Sequence, residues 1–232
     1  MLAASITSRL LVLDTLLPGQ TLRCDGAPDS FHALVQSCTQ PLVVVGRSRL
    51  TLHSRGVEVS TQSDGDDILL RATGRLVEIS DGGQDEGSRW AGRTGHVEWL
   101  GRLEEDDRIL SCNDDTDADD TDARAADDAR TLLGDRLGVL TDEWIDLVRT
   151  TRRERWPGQL DALLDELGPM PEALNARAVH CAALINPQPA LGVALEVRPA
   201  VLTARTTARR LAMAEQGLVD SIARLRTPGP CF

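Results

Sequence analysis

The chain contains no lysine, since all 25 of its basic residues are arginine. Arginine stays protonated in proteins, so it cannot act as a general base or form a Schiff base in place of lysine. These 232 residues therefore contain no Schiff-base lysine, no Ser-Lys dyad and no phosphate-binding lysine of the G-x-x-x-x-G-K-[ST] type.

Aromatic side chains are also scarce: there are four tryptophans, two phenylalanines and no tyrosine. With 41% hydrophobic residues, the chain must build its core from Leu, Val, Ile and Ala. Its net charge is −11. A protein that neutralises phosphates needs a basic stripe, so we expect no nucleic-acid partner.

The five cysteines are scattered and never form a C-x-x-C pair: Cys24, Cys38, Cys112, Cys181 and Cys231. This spacing favours neither a disulfide framework nor a thiolate zinc site, and it is typical of reduced thiols in a cytosolic protein. No run reaches the roughly 18 apolar residues of a membrane span, and the first residues do not resemble a secretory signal. We therefore expect a cytoplasmic protein without a membrane partner.

Before residue 113, short apolar runs alternate with turn signals, which is typical of strands. The predicted strands lie at Leu10–Leu13, Leu42–Val45, Val57–Ser60, Ile68–Ala72, Leu76–Ile79 and Val97–Leu100. Thr73-Gly74 is predicted to be a turn between the fourth and fifth runs. One helix is predicted over Asp29–Thr39, capped by Asp29 or Ser30.

An acidic segment follows, with twelve carboxylates and two arginines between Glu104 and Asp128. As a calcium loop starting at Asp115 it fails at two diagnostic positions. Asp120 stands where the EF-hand requires glycine, and Ala126 stands where it requires glutamate. Residues 113–128 are therefore predicted to be a solvated acidic linker, and no metal site is expected.

After the linker, apolar residues recur at three- and four-residue spacings, which predicts helices. Helices are expected across Leu132–Val148, Leu160–Leu167, Glu172–Ile185 and Pro199–Leu225, with a further short one at Leu191–Val197. The predicted fold class is α+β: an antiparallel pseudo-barrel (PUA-like) sheet with one helix, followed by an all-helical C-terminal domain. The expected domains are residues 1–112 and 129–232.

No catalytic constellation is evident in the sequence. The four histidines (His32, His53, His96 and His180) occupy no recognised ligand or triad spacing. Cys38 with His53 would be a Cys-His pair only if the fold brought them together. We predict no catalytic residue and no cofactor.

Two tryptophans, Trp90 after a polar loop and Trp99 on the last strand, are candidate anchors for an apolar peptide segment, and core packing is the alternative for each. A basic cluster (Arg149, Arg152, Arg153 and Arg155) lies beside Trp156. It is the best candidate for contact with an anionic partner. Alternatively, these arginines stabilise the end of a helix or pair with the acidic linker.

The segments LLVLDTLLPGQTLR (10–23), FHALVQSC (31–38), DGDDILLRATGRLVEI (64–79) and GHVEWL (95–100) resemble the Lon substrate-binding domain family. Leu16-Leu17-Pro18-Gly19 matches the turn of that family, although its E-P-R-Y element is absent. The helical half resembles the extension of stand-alone members, which lack the ATPase and Ser-Lys peptidase parts of Lon proteases. The resemblance implies a substrate-binding domain and not a protease.

The resemblance therefore predicts a non-enzymatic adaptor that recognises unfolded or extended polypeptides. Its partners would be unfolded chains, or a protease or chaperone. A second hypothesis is a small-ligand-binding or hydrolytic enzyme on the same scaffold, with a pocket joining His96 or His53 to carboxylates. A third is a structural partner of another complex, contacted through the helical domain.

Overall fold

The computed structural model describes residues 5–48, 51–80, 90, 92–102, 120–188 and 196–227. Contacts divide the chain into two compact units, Met1–Glu105 and Asp106–Phe232. The domain bounds at 112 and 129, and the independent folding of each domain, stay predictions.

In the described part of the first unit, six strands and one helix follow the apolar runs of the sequence. They are β1 (Ser5–Val12), β2 (Thr21–Cys24), α1 (Asp29–Ser37), β3 (Leu42–Ser48), β4 (Thr51–Asp64), β5 (Asp67–Ile79) and β6 (Arg93–Arg102). The β2 strand was not among the predicted apolar runs. Its four residues alternate between polar and apolar side chains, and the exposed Arg23 interrupts any apolar run.

The strands form one sheet in the order β2-β5-β4-β3-β1-β6, and a further pairing of β5 with β6 closes a ring of five strands. The α+β barrel-like fold is thus confirmed. One detail of the prediction is wrong, because β1 and β3 pair in parallel rather than antiparallel. The chain between them contains β2 and α1, and a connection of that length lets β3 run in the same direction as β1.

Apolar side chains from all five ring strands form the barrel core, and Trp99 packs against it from one side. These core residues are Leu10, Val12, Val43, Val45, Leu52, Val77, Ile79 and Val97. Aliphatic residues fill this core, as the shortage of aromatics predicted.

Thr73-Gly74, predicted to be a turn, lies inside β5, and that prediction is wrong. The register shifts opposite Glu58, so that β5 accommodates Thr73, Gly74 and Arg75 as a bulge. The Glu58 carboxylate accepts hydrogen bonds from the Thr73 hydroxyl (3.3 Å) and the Arg75 guanidinium (3.5 Å). The strand continues because this carboxylate satisfies the polar groups of the bulge and β6 pairs alongside.

The helix α1 confirms the prediction over Asp29–Thr39, although it ends two residues earlier. Its N-cap is Pro28, not Asp29 or Ser30. The carbonyl of Pro28 accepts hydrogen bonds from the amides of Phe31 and His32. Asp29 instead lies in the first turn, where its charge is favourable at the positive end of the helix dipole.

The described part of the second unit is helical, as predicted. Its helices are α2 (Asp120–Thr151), α3 (Gln159–Leu167), α4 (Leu174–Ile185), α5 (Arg198–Thr203) and α6 (Thr207–Arg226). The last two replace the single helix predicted over Pro199–Leu225, because the chain adopts extended backbone at Ala204 and Thr206. The short helix predicted at Leu191–Val197 falls largely outside the described residues.

The first helix of this unit begins at Asp120, inside the predicted linker 113–128. The sequence at its start is rich in alanine, which is a strong helix former. Residues 103–119 lie outside the described part of the chain.

The core of the helical unit is built around Trp144, which is fully buried on α2. Its indole Nε1 donates to the Ser221 hydroxyl on α6 at 2.8 Å, so the polar atom of the largest buried side chain is satisfied. Apolar residues of α2, α3, α4 and α6 pack around it. Among the helices that the structure describes, none has an apolar stretch long enough to cross a membrane.

Candidate functional site

The outer half of β4 has an open edge. The pairing of β4 with β3 ends at Val59, which lies opposite Leu42. Beyond it, Ser60–Asp64 pair with β5 on one side, and no described strand pairs with them on the other. We call residues 60–64 the β4 edge. In an antiparallel strand every second residue directs its N–H and C=O away from its neighbour, so this edge presents unpaired backbone groups.

The residues of the β4 edge are Ser60, Thr61, Gln62, Ser63 and Asp64, and all five are exposed. The first four carry neither the charge nor the proline that proteins use to protect a strand edge from pairing. The edge is therefore chemically suited to accept another strand.

One end of the β4 edge is fixed by a charged network around Arg23 on β2. The Arg23 guanidinium contacts the carboxylates of Asp67 (2.8 Å), Asp25 (3.1 Å) and Asp64 (3.1 Å). These pairs are largely exposed, so each adds little to stability. Their positions nevertheless join β2 to both strands of the β4–β5 hairpin.

The hairpin itself turns at Gly65-Asp66, with Asp64 paired to Asp67. Gly65 has a φ of +61°, which a residue with a Cβ adopts only at a cost. A two-residue loop of this kind fixes the register of both strands, and hence the positions of the backbone groups on the β4 edge.

The two tryptophans chosen from the sequence are partly buried. Trp90 packs edge-to-face on Phe31 of α1, with ring centroids 4.9 Å apart. Trp99 lies against the barrel core, and the Arg75 guanidinium stacks over its ring at 4.3 Å. Both rings therefore have structural partners, and their role as peptide anchors stays a prediction.

The histidines occupy four different settings. His53 Nδ1 lies 3.3 Å from the Thr15 hydroxyl, and burial lowers the pKa of His53. The same burial effect lowers the pKa of His180 on α4. His96 is exposed on β6, and His32 is partly buried on α1.

The contact between Thr15 and His53 depends on Gly46 in β3. A Cβ at Gly46 would lie 2.1 Å from the Thr15 hydroxyl oxygen and 2.8 Å from His53 Nδ1. Only glycine leaves room for both side chains. No histidine of the described chain forms an ion pair with a carboxylate.

Within the described residues, three cysteines are present and none forms a disulfide: Cys24, Cys38 and Cys181. Burial raises the pKa of Cys181 to about 11, despite a contact with the Thr141 hydroxyl at 3.4 Å. The thiol of Cys38 donates to the carbonyl of Gln40. Cys112 and Cys231 fall outside the described part. No group of three or more potential metal ligands occurs within the part that the structure describes.

The fold is similar to that of a Lon N-terminal domain protein from Xanthomonas campestris, with a TM-score of 0.51 and 16% sequence identity, covering 89% of this chain and 95% of that chain. The N-terminal domain of a Lon protease from the Mycobacterium avium complex is also similar, with a TM-score of 0.42 and 16% identity over 94% of this chain and 98% of that chain. No family model and no curated protein matches the sequence. The Xanthomonas structure confirms the Lon N-terminal-like fold that the sequence resemblance predicted.

The β4 edge is the feature that sequence reasoning missed. The run predicted as a strand ended at Ser60, because Thr61, Gln62 and Ser63 carry no apolar alternation. Their β-compatible side chains, followed by a Gly-Asp turn, were the available signal. Whether the edge is open depends on where β3 begins, and this is a property of the assembled sheet.

Proposed function

We propose that this protein recognises extended polypeptide segments without catalysing a reaction, as a substrate-binding or adaptor protein of the Lon N-terminal type. The observation that carries the proposal is the open and exposed β4 edge, whose first four residues carry no charge. An added strand would gain main-chain hydrogen bonds to this edge, largely independent of the sequence that is bound. Such tolerance suits a receptor for unfolded chains.

The fold likeness supports the same reading, since the similar Xanthomonas chain is named as a Lon N-terminal domain protein. In addition to the main-chain hydrogen bonds, Trp90 and Trp99 are the proposed contacts for apolar side chains of the bound polypeptide. Both residues are partly exposed, and both belong to the unit that contains the edge. Unfolded polypeptides are the proposed ligands, and a protease or chaperone is the proposed partner in the cytoplasm.

A binding assay with edge variants tests the proposal. The variant Thr61→Lys with Ser63→Lys adds two charges to the β4 edge, as natural edge strands do to prevent pairing. We expect it to bind a fluorescently labelled, permanently unfolded polypeptide at least about tenfold more weakly, a change of about 1.4 kcal/mol. Fluorescence anisotropy is the measurement.

The matched control is Thr51→Lys with Ser54→Lys, which adds the same charges at exposed positions of the same strand away from the edge. It should bind as the unsubstituted protein does. Equal affinity of the edge variant and this control would rule out the β4 edge. In the same assay, unchanged binding by Trp90→Ala and by Trp99→Ala would remove those two residues from the proposed site.

A small-ligand-binding or hydrolytic role is the alternative, and the contact between Thr15 and His53 is the observation that favours it. A hydroxyl beside a histidine is the beginning of a nucleophile–base pair. His53→Ala would abolish turnover of a model ester if this role holds, and it would leave polypeptide binding unchanged if the proposed function holds.

A further inference from the structure

Some side chains of the loop between α2 and α3 form hydrogen bonds to neighbouring helices, while others take no part in these contacts. Arg153 donates to the carbonyls of Arg224 (3.2 Å) and Thr227 (2.8 Å) at the end of α6. The carboxylate of Glu154 accepts from the amides of Leu160 (2.7 Å) and Gly158 (3.4 Å) at the start of α3. The loop is thereby tied to two helices.

Two further contacts complete the anchoring. The buried Gln159 accepts from the amide of Arg155 at 3.0 Å. Arg149, at the end of α2, pairs with Asp161 at 3.2 Å. The backbone of the loop therefore has fixed partners on both sides.

Three long side chains of this loop take no part in the anchoring, and we call them the arginine–tryptophan surface: Arg152, Arg155 and Trp156. All three are exposed, and Trp156 has 42% of its surface accessible. Neither Arg152 nor Arg155 has an ion-pair partner within the described chain. Arg152 is also the one described non-glycine residue with positive φ, at 51°, a conformation that costs about 1 kcal/mol or more.

The geometry points to a docking surface for an acidic polypeptide segment that carries an apolar side chain: we propose that Arg152 and Arg155 bind its carboxylates and that Trp156 packs on the apolar group. The Cα atoms of Arg152 and Trp156 lie within about 14 Å of each other, the reach of four extended residues. A short peptide spans that distance. Guanidinium groups recognise carboxylates through two parallel hydrogen bonds, and tryptophan and arginine are the residues most enriched among strong binding contacts.

The net charge of the chain favours an acidic peptide as the partner over a nucleic acid or an anionic membrane. The whole chain carries −11, which repels a nucleic acid or an anionic membrane more strongly than a peptide with a few carboxylates. The arginine–tryptophan surface supplies two unpaired cations, too few for the extended basic stripe of a nucleic-acid site. This surface lies on the helical unit and is independent of the β4 edge.

The test uses the full chain and two labelled peptides. In one, glutamates flank a central pair of leucines; in the other, glutamines replace the glutamates. We expect the glutamate peptide to bind and the glutamine peptide to bind at least about tenfold more weakly. Arg152→Gln with Arg155→Gln, and separately Trp156→Ala, should each weaken binding of the glutamate peptide about five- to tenfold. Raising the salt concentration should weaken it as well.

The matched control is Arg205→Gln with Arg209→Gln, which removes two exposed arginines, one just before α6 and one in its first turn, where Arg209 lies about 22 Å along the helix from Arg224. It should leave the affinity unchanged. Equal losses in both double variants would overturn the proposal, because the effect would then be one of overall charge. Tighter binding of an oligonucleotide or of anionic lipid vesicles than of the glutamate peptide would overturn the choice of partner.

A charge swap guards against a variant that has simply lost its fold. Arg152→Glu with Arg155→Glu should lose the glutamate peptide and gain a peptide in which lysines replace the glutamates. A variant that binds neither peptide while its helical circular dichroism is unchanged would contradict the proposal. None of these substitutions should affect binding of an uncharged unfolded polypeptide. The proposal for the arginine–tryptophan surface and the proposal for the β4 edge can therefore be contradicted independently of each other.

Discussion

At the scale of the residue, one buried arginine joins α4, α5 and α6 of the helical unit. Arg210 on α6 is fully buried. Its guanidinium donates to the side-chain oxygen of Asn175 and to the carbonyls of Val201 and Ala204. It thereby satisfies carbonyls at the end of α5, which have no helical partner because α5 and α6 are separate helices. The sequence predicts neither this contact nor the helix break, because nothing distinguishes Arg210 from the exposed Arg209 beside it.

The buried His180 makes the stability of the helical unit depend on pH. Burial lowers its pKa from the ordinary value of 6.5, so the unfolded chain binds a proton at a higher pH than the folded chain does. The contribution of this residue to stability is complete above pH 6.5 and is lost as the pH falls towards the folded pKa. We expect the free energy of unfolding to decrease on acidification through this range.

The variant His180→Gln removes the titrating group while keeping a side chain of similar size. Urea unfolding followed at pH 7.5 and pH 5 should show a smaller loss of stability for the variant than for the unsubstituted protein. The difference isolates His180 from the carboxylates, which both proteins share. Parallel losses in the two proteins would mean that burial of His180 has no effect on its protonation.

At the scale of the elements, the sequence predicted which strands are present better than it predicted where each strand begins and ends. Each predicted strand is present because alternating or apolar runs mark the sides that face the core. The fourth and fifth runs proved to be one strand, β5, since the carboxylate of Glu58, distant in sequence, accommodates Thr73 and Gly74. Local turn chemistry signals a turn at Thr73-Gly74, and the pairing of neighbouring strands overrides it.

The two glycines of this hairpin should respond to alanine in opposite ways. Gly65→Ala should destabilise the first unit by about 1 kcal/mol, because alanine is strained at positive φ. Gly74→Ala, at an ordinary φ with no atom within 4 Å of the added Cβ, should be neutral or stabilise by about 0.5 kcal/mol. Thermal unfolding of the two variants measures the difference. A loss for Gly74→Ala equal to that for Gly65→Ala would contradict the positions of turn and bulge.

At the scale of the whole molecule, the sequence predicted the α+β class and the Lon N-terminal-like fold, and the structural likeness confirms both. It could not predict the candidate site. The β4 edge exists because β3 begins only at Leu42, opposite Val59, while β4 continues to Asp64. The sequence marked the basic cluster beside Trp156, but it could not predict that Arg149 and Arg153 have partners while Arg152 and Arg155 have no ion pair within the described chain. Both features depend on contacts between residues far apart in the sequence.

The proposed function depends most on strand addition at the β4 edge. Hydrogen exchange measures that strand addition directly. The protein would be exchanged in deuterated buffer with and without a saturating unfolded polypeptide, and the amides of residues 60–64 would be followed. We predict that the outward-facing amides of Ser60–Asp64 become protected when the polypeptide is bound, since they gain hydrogen bonds to the added strand. Unchanged exchange at these amides, with the polypeptide demonstrably bound, would contradict the proposed function.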